Sequence, residues 1–235
     1  MGRSAYHSSM RTLSDRRTAT CFSLVLASGL CLGLLVLRAM QPEAYGYRFL
    51  AWNLLLAWVP FLLALALYDS DRQRRSMLVL VGLGSLWLLF LPNAPYILTD
   101  FIHVGELPGA PLWYDAGMTA AFAATGLVLG LGSVLLVQGV VARRVGPRAG
   151  WAMLGPVLLL CSAGVYIGRI HRLNSWDAVT RPERLLDLVG SRLADPLGRP
   201  ESLAALVGLT GFLAVAYLVL YTFSSLGPDR GQGRR

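Results

Sequence analysis

The chain contains no lysine, so every permanently cationic side chain is an arginine. In a nucleic-acid-binding protein the net charge of +8 would gather on one soluble face with aromatics interleaved. Here the arginines fall in short segments between apolar runs, where membrane topology asks for them. That excludes nucleic acid as a partner and assigns the all-arginine usage to a GC-rich bacterial genome. Cysteine is also sparse: Cys21, Cys31 and Cys161 lie inside apolar runs with no CxxC spacing, which excludes a disulfide framework and a thiolate metal site. No HExxH or comparably dense ligand motif occurs. Finally, no Asp, Glu, Lys or Arg lies deep in any long apolar run, which weakens an ion-coupled transporter.

What the chain does have is apolar residues, 55 % of the total, in continuous runs rather than periodic stripes. A soluble fold of 235 residues cannot bury six stretches like Cys21 to Leu37. A helix crosses the hydrocarbon core in about twenty residues, and six segments qualify: 19–38, 49–68, 77–98, 116–141, 150–170 and 202–223. Arginines before the first run suit a signal peptide, but the run is long enough to span and no A-x-A pattern follows, so it is expected to be the first span. The expected fold is an all-α polytopic bundle: a polar cytoplasmic tail (1–18), one transmembrane domain (19–223) and a second cytoplasmic tail (224–235).

Six spans put both termini on one side, together with Arg72, Arg74 and Arg75 after span two and Arg143, Arg144 and Arg148 after span four. The positive-inside rule makes that side cytoplasmic. Segment 171–201 breaks the rule with Arg172, Arg181, Arg184, Arg192 and Arg199. Either a span is miscounted or these arginines answer nearby acids. Within it, Thr180 to Glu183 has the capping-box form, and Leu185, Leu186, Val189 and Leu193 recur at helical spacing, predicting a short interfacial amphipathic helix. Glycine pairs four apart, Gly29/Gly33, Gly126/Gly130 and Gly164/Gly168, predict close helix packing inside one chain.

The third apolar run ends in LPNAPYILTDFIH, residues 91–103. Pro92 and Pro95 cannot donate to the carbonyls of Leu88 and Leu91, and each should push its predecessor away from helical angles, so the helix is expected to break within the membrane. Irregular backbone at that depth must be buried in protein or line a wet cavity. Asn93, able to donate and accept, either patches the break or faces a polar pocket opened by it.

Three polar clusters meet at one membrane interface under this topology: Asp100, His103 and Glu106 at spacing three, Pro-Leu-Trp-Tyr-Asp at 111–115, and Gly-Arg-Ile-His-Arg-Leu-Asn-Ser-Trp-Asp at 168–177. LPNAPYILTDFIH, PLWYD and GRxxRxNSWD, in that order between apolar spans, resemble the bacterial multi-pass membrane family called domain of unknown function 1361 over residues 45–222. The resemblance implies a bacterial membrane protein, expected in the plasma membrane, and carries over no catalytic roles. From the residues, Asp100, His103, Asp115 and Asp177 are candidates for acid/base chemistry or for holding a hard divalent ion. Asn93, Arg169, Arg172 and Asn174 are candidate ligand contacts, with Trp113 and Trp176 in the interfacial aromatic belt. The functions this suits are recognition of an anionic or lipid-linked envelope ligand, a structural ion-pair clasp, a non-ion-coupled transporter, or a metal-dependent hydrolase or transferase.

Overall fold

The computed structural model describes residues 2–41, 44–106, 108–171, 173, 175, 177–184, 187 and 200–225. The elements in chain order are α1 (Gly2–Ala39), a 3-10 turn (Ala44–Tyr47), α2 (Arg48–Arg72), α3 (Met77–Phe90), α4 (Asn93–Tyr96), a 3-10 helix (Ile97–His103), α5 (Leu112–Arg144), α6 (Pro147–Ala152), α7 (Leu154–His171), α8 (Asp177–Thr180) and α9 (Pro200–Ser225). No strand occurs among the described residues. Six segments are long and apolar enough to span: Arg17–Ala39, Arg48–Arg72, Met77–His103, Leu112–Arg144, Pro147–His171 and Pro200–Ser225. The protein is a multi-pass helical membrane bundle, as the run lengths predict. Most of the expected amphipathic stretch, including Leu185, Leu186, Val189 and Leu193, lies outside the described residues.

Burial ranks the spans. Span four, in α5, has 56 % of its most apolar window covered, against 11 % for the first and last spans. It is therefore the axis of the bundle, packed by α1, α2, α4, α6 and α9. One core joins α1, α2, α4 and α5 around Leu50, Leu54, Phe61, Ile97 and Phe122; the other joins α3, α5, α7 and α9 around Trp87, Leu91, Val134, Leu158 and Leu213. Large apolar side chains on the outer faces stay exposed, Phe22, Leu78 and Phe223 among them, as lipid-facing residues should.

Side-chain contacts show which helix ends meet. At one end Arg17 pairs with Asp69 at 2.7 Å, Arg143 and Arg144 both clasp Asp71, and the Trp151 and Tyr221 rings lie 4.9 Å apart. At the other, Arg38 meets Asp115, Arg169 approaches Asp100, and the Tyr166 and Ser202 hydroxyls lie 2.6 Å apart. These are called the arginine-rich end and the loop end below.

Span three is segmented at the Pro-Asn-Ala-Pro unit, but not by leaving helical space. Contrary to the expectation for residues that precede proline, Leu91 keeps φ −53°, ψ −39°, and Ala94 lies within α4. The chain tightens instead. With no N–H on Pro95, the Leu91 carbonyl accepts from Ala94 N at 3.2 Å, three residues on, and the tightening continues through the 3-10 helix. That leaves the Phe90 carbonyl, which Asn93 Nδ2 takes at 2.9 Å.

Glycines hold the tightened segment. A Cβ on Gly126 would lie 2.7 Å from the Ala94 carbonyl oxygen, one on Gly130 2.8 Å from Ala94 Cβ, and one on Gly164 2.4 Å from Pro92 Cγ. Two of the three glycine pairs thus serve packing within the chain, and the steric cost of a helical pre-proline residue is offset by that close fit. The third pair, Gly29 and Gly33, has nothing within 4 Å.

Candidate functional site

The loop end carries two charged clusters of different character. In the first, Arg38 at the close of α1 is 0 % exposed and Asp115 in the first turn of α5 is 1 % exposed. Arg38 donates Nε to Asp115 Oδ1 at 2.7 Å and Nη2 to Oδ2 at 3.4 Å, and Nη2 also reaches the Pro108 carbonyl at 3.0 Å. The Tyr47 hydroxyl lies 3.0 Å from both Asp115 Oδ2 and the His103 carbonyl oxygen, sharing its proton between them. Burial, then the hydrogen bond to Asp115, raise the Tyr47 phenol above its ordinary value, so it stays a donor. Asp115 also gains from the positive N-terminal end of α5. Each charge here has its partner, and the ion pair is buried.

The second cluster starts at Asp100, 1 % exposed on the 3-10 helix. Asn53 Nδ2 from α2 donates to its Oδ2 at 2.8 Å, while Arg169 Nη1 comes only to 3.4 Å from Oδ1. Arg169 Nη2 is closer to His103 Nε2, at 2.9 Å. A guanidinium cannot accept a hydrogen bond, so Nε2 must be the acceptor and the ring must be neutral with its proton on Nδ1. That proton points at Glu106 Oε2, 2.8 Å away. The 3-10 geometry, in which side chains three apart eclipse, puts Asp100 and His103 on one face, and the turn at Gly105 with φ +86° brings Glu106 back to it.

Beside this cluster lies a cavity of about 550 Å³ between α2, α3 and α7, which reaches α4 and the loop after α7. Most of its wall is apolar, formed by Trp52, Leu56, Leu88, Leu89, Leu160 and Ile167. Its polar groups include Asn53, Asn93, Tyr96, Ser175 and Asp177. Asn93 does two things there: one amide proton closes the break at Phe90 and the other donates to Ser175 Oγ at 2.8 Å, tying span three to the loop after span five. Asn53 and Tyr96, whose ring lies 5.9 Å from the Arg169 guanidinium carbon, join the cavity wall to the second cluster. Trp52 and Leu160, both 54 % exposed, stand at the lipid-facing side.

Asn93 and Asp177 therefore line the cavity, Asp100, His103 and Arg169 form the network beside it, and Asp115 belongs to the closed cluster with Arg38. Trp113 is 73 % exposed on the first turn of α5. Arg172, Asn174 and Trp176 lie outside the described residues. Asp100, His103, Asp115 and Asp177 do not converge as a hard-ion site, and no group of three or more His, Cys, Asp or Glu gathers for a metal among the described residues. Asp115, for its part, has both oxygens engaged by Arg38 and Tyr47.

Arg38, Tyr47, Asn53, Tyr96 and Ser175 are site residues that the sequence does not single out. Arg38 carried a usable signal. An arginine ending an apolar run on the side that should be poor in arginine needs an acid to meet it. Asn53, one polar residue inside α2, carried a similar one.

No curated protein and no solved structure matches the chain. Residues 52–218 do match a family, described as Protein of unknown function (DUF1361), and that stretch holds Pro-Asn-Ala-Pro, Pro-Leu-Trp-Tyr-Asp and the Arg169 to Asp177 motif together. Because the match covers most of the chain, cavity walls and second cluster included, the protein belongs to that family.

Proposed function

We propose that this protein holds a lipid or lipid-linked amphiphile in the cavity between α2, α3 and α7. The observation that carries the reading is the shape of the wall: a long apolar side open toward lipid-facing residues, with amide, hydroxyl and carboxylate groups gathered where span three is tightened. Sites for small molecules are mostly apolar with a few placed polar groups, and an acyl chain with a polar head matches that division. The anionic head expected from Arg169 and Arg172 has less support. Arg169 is turned to Asp100 and His103 and does not line the cavity.

The same proposal sets the arginine-rich end in the cytoplasm of a bacterial plasma membrane and the cavity's polar part toward the external face. It rests on Arg72, Arg74, Arg75, Arg143, Arg144 and Arg148 lying in or beside the two short connections at one end, α2 to α3 and α5 to α6. In a cysteine-free background, Glu106→Cys should react with an impermeant thiol reagent on intact cells and Arg74→Cys should not. The reverse pattern overturns the orientation.

Occupancy is tested by native mass spectrometry of gently solubilised protein. The wild type should retain a lipid-sized mass that Ala163→Phe, which fills the cavity from α7, releases. Equal spectra would favour a second reading, supported by the Arg38–Asp115 cluster, in which the polar motifs only lock the spans together.

A further inference from the structure

Two of the cavity's polar groups are amides whose Nδ2 donates to a partner within the fold. Asn93 donates both Nδ2 protons, to the Phe90 carbonyl at 2.9 Å and to Ser175 Oγ at 2.8 Å. A carbonyl only accepts, so the amide cannot be turned over, and Oδ1 is the atom left for an occupant. Asn53 spends one of its two Nδ2 protons at 2.8 Å on Asp100, the carboxylate that also faces Arg169, and keeps its second N–H. Its Oδ1 likewise has no partner among the described residues. Ser175 and Tyr96 hydroxyls rotate to donate or accept, but these two amide oxygens can only accept. Asp177 adds a carboxylate to the same wall, and no arginine or histidine lines it among the described residues.

Acceptors thus outnumber fixed donors on the wall, which suits an occupant that brings hydrogen-bond donors. A phosphate monoester head brings acceptors and negative charge to it, and a choline head brings no donor at all. Glycosyl hydroxyls or a primary ammonium bring O–H or N–H groups to the Asn53 and Asn93 oxygens, which an occupant without donors would desolvate at a cost. We propose that the cavity selects lipid-type amphiphiles whose heads carry O–H or N–H donors over those whose heads carry none. This rests on the lipid-holding role proposed above.

The test is competition. Full-length protein in detergent is offered equimolar phosphatidylethanolamine, monoglucosyl-diacylglycerol, phosphatidylcholine and phosphatidic acid with identical acyl chains, and the retained species are weighed by native mass spectrometry. The expected result is retention of the ethanolamine or glucosyl lipid about threefold to tenfold above the choline lipid and phosphatidic acid, the span of one net hydrogen bond. The ratio of the two favoured lipids tells ammonium from hydroxyl recognition. Asn93→Leu should flatten the preference, and the wild-type ratio decides the matter alone if that variant does not fold. Lipid retained by the wild type, lost in Ala163→Phe and showing no donor preference overturns this inference while leaving the lipid-holding role intact. Retention that is identical in wild type and Ala163→Phe overturns the role itself.

Discussion

Arg38 and Asp115 are 0 % and 1 % exposed and meet at 2.7 Å, whereas Arg169, 19 % exposed, comes no nearer than 3.4 Å to Asp100. Both pairs join distant parts of the chain at the loop end, and both use a carboxylate that water barely reaches. The difference is in what else each charge touches. Asp115 is answered on both oxygens by Arg38 and Tyr47, so nothing further is needed there. Asp100 is held chiefly by an amide that also lines a cavity, and Arg169 spends its shorter hydrogen bond on His103. A closed ion pair specifies which helices meet; a loosely paired one beside a cavity leaves groups able to respond to an occupant.

The largest expected effect breaks the closed cluster. Asp115→Asn removes the carboxylate charge that the buried Arg38 guanidinium meets at 2.7 Å, a loss of about 3–5 kcal/mol. It should appear as a clear fall in the thermal unfolding midpoint in detergent, and the double variant Arg38→Met, Asp115→Leu should recover much of it. A stable Asp115→Asn protein would mean the cluster is less closed than its contacts imply.

Next comes the packing that sets the cavity wall. Gly164→Ala forces a methyl against Pro92, an overpacking cost of about 1–3 kcal/mol. Gly29→Ala, with open space around it, should change stability by no more than about 0.5 kcal/mol. Parallel thermal melts of the two variants check this, and equal shifts would refute the tightened span as a packed unit.

The smallest effects belong to the open cluster. Asp100→Asn keeps an acceptor for Asn53 and leaves Arg169 access to water, so about 1 kcal/mol is expected. Glu106→Gln, at an exposed position, should stay within about 0.5 kcal/mol. Chemical denaturation of both against Asp115→Asn gives the order; Asp100→Asn as damaging as Asp115→Asn would erase the contrast drawn between the clusters.

The spans were legible because run length is a local property, and about twenty apolar residues have few fates other than crossing a bilayer. Pro92 and Pro95 marked the disturbed segment for the same reason, since a missing N–H is written in the residue itself. Its direction was not legible. Whether the chain opens outward or tightens depends on what lies opposite, and the opposing surfaces are Gly126, Gly130 and Gly164, on other helices. Asn93 was visible as a polar residue in apolar surroundings, but its two hydrogen bonds, one to Phe90 and one to Ser175, required the fold.

Sequence alone thus determined a six-span helical membrane protein, its arginine-rich turns and the polar motifs at one end, all consequences of hydropathy and covalent geometry within a few residues. Only the tertiary structure decided that Asp115 belongs to Arg38 and Asp100 to Asn53 and Arg169, because opposite charges far apart in the chain pair according to which helix ends meet. The same packing of α2, α3 and α7 decided that a cavity lies beside one cluster and not the other, a property of the space between helices that none of their sequences carries separately.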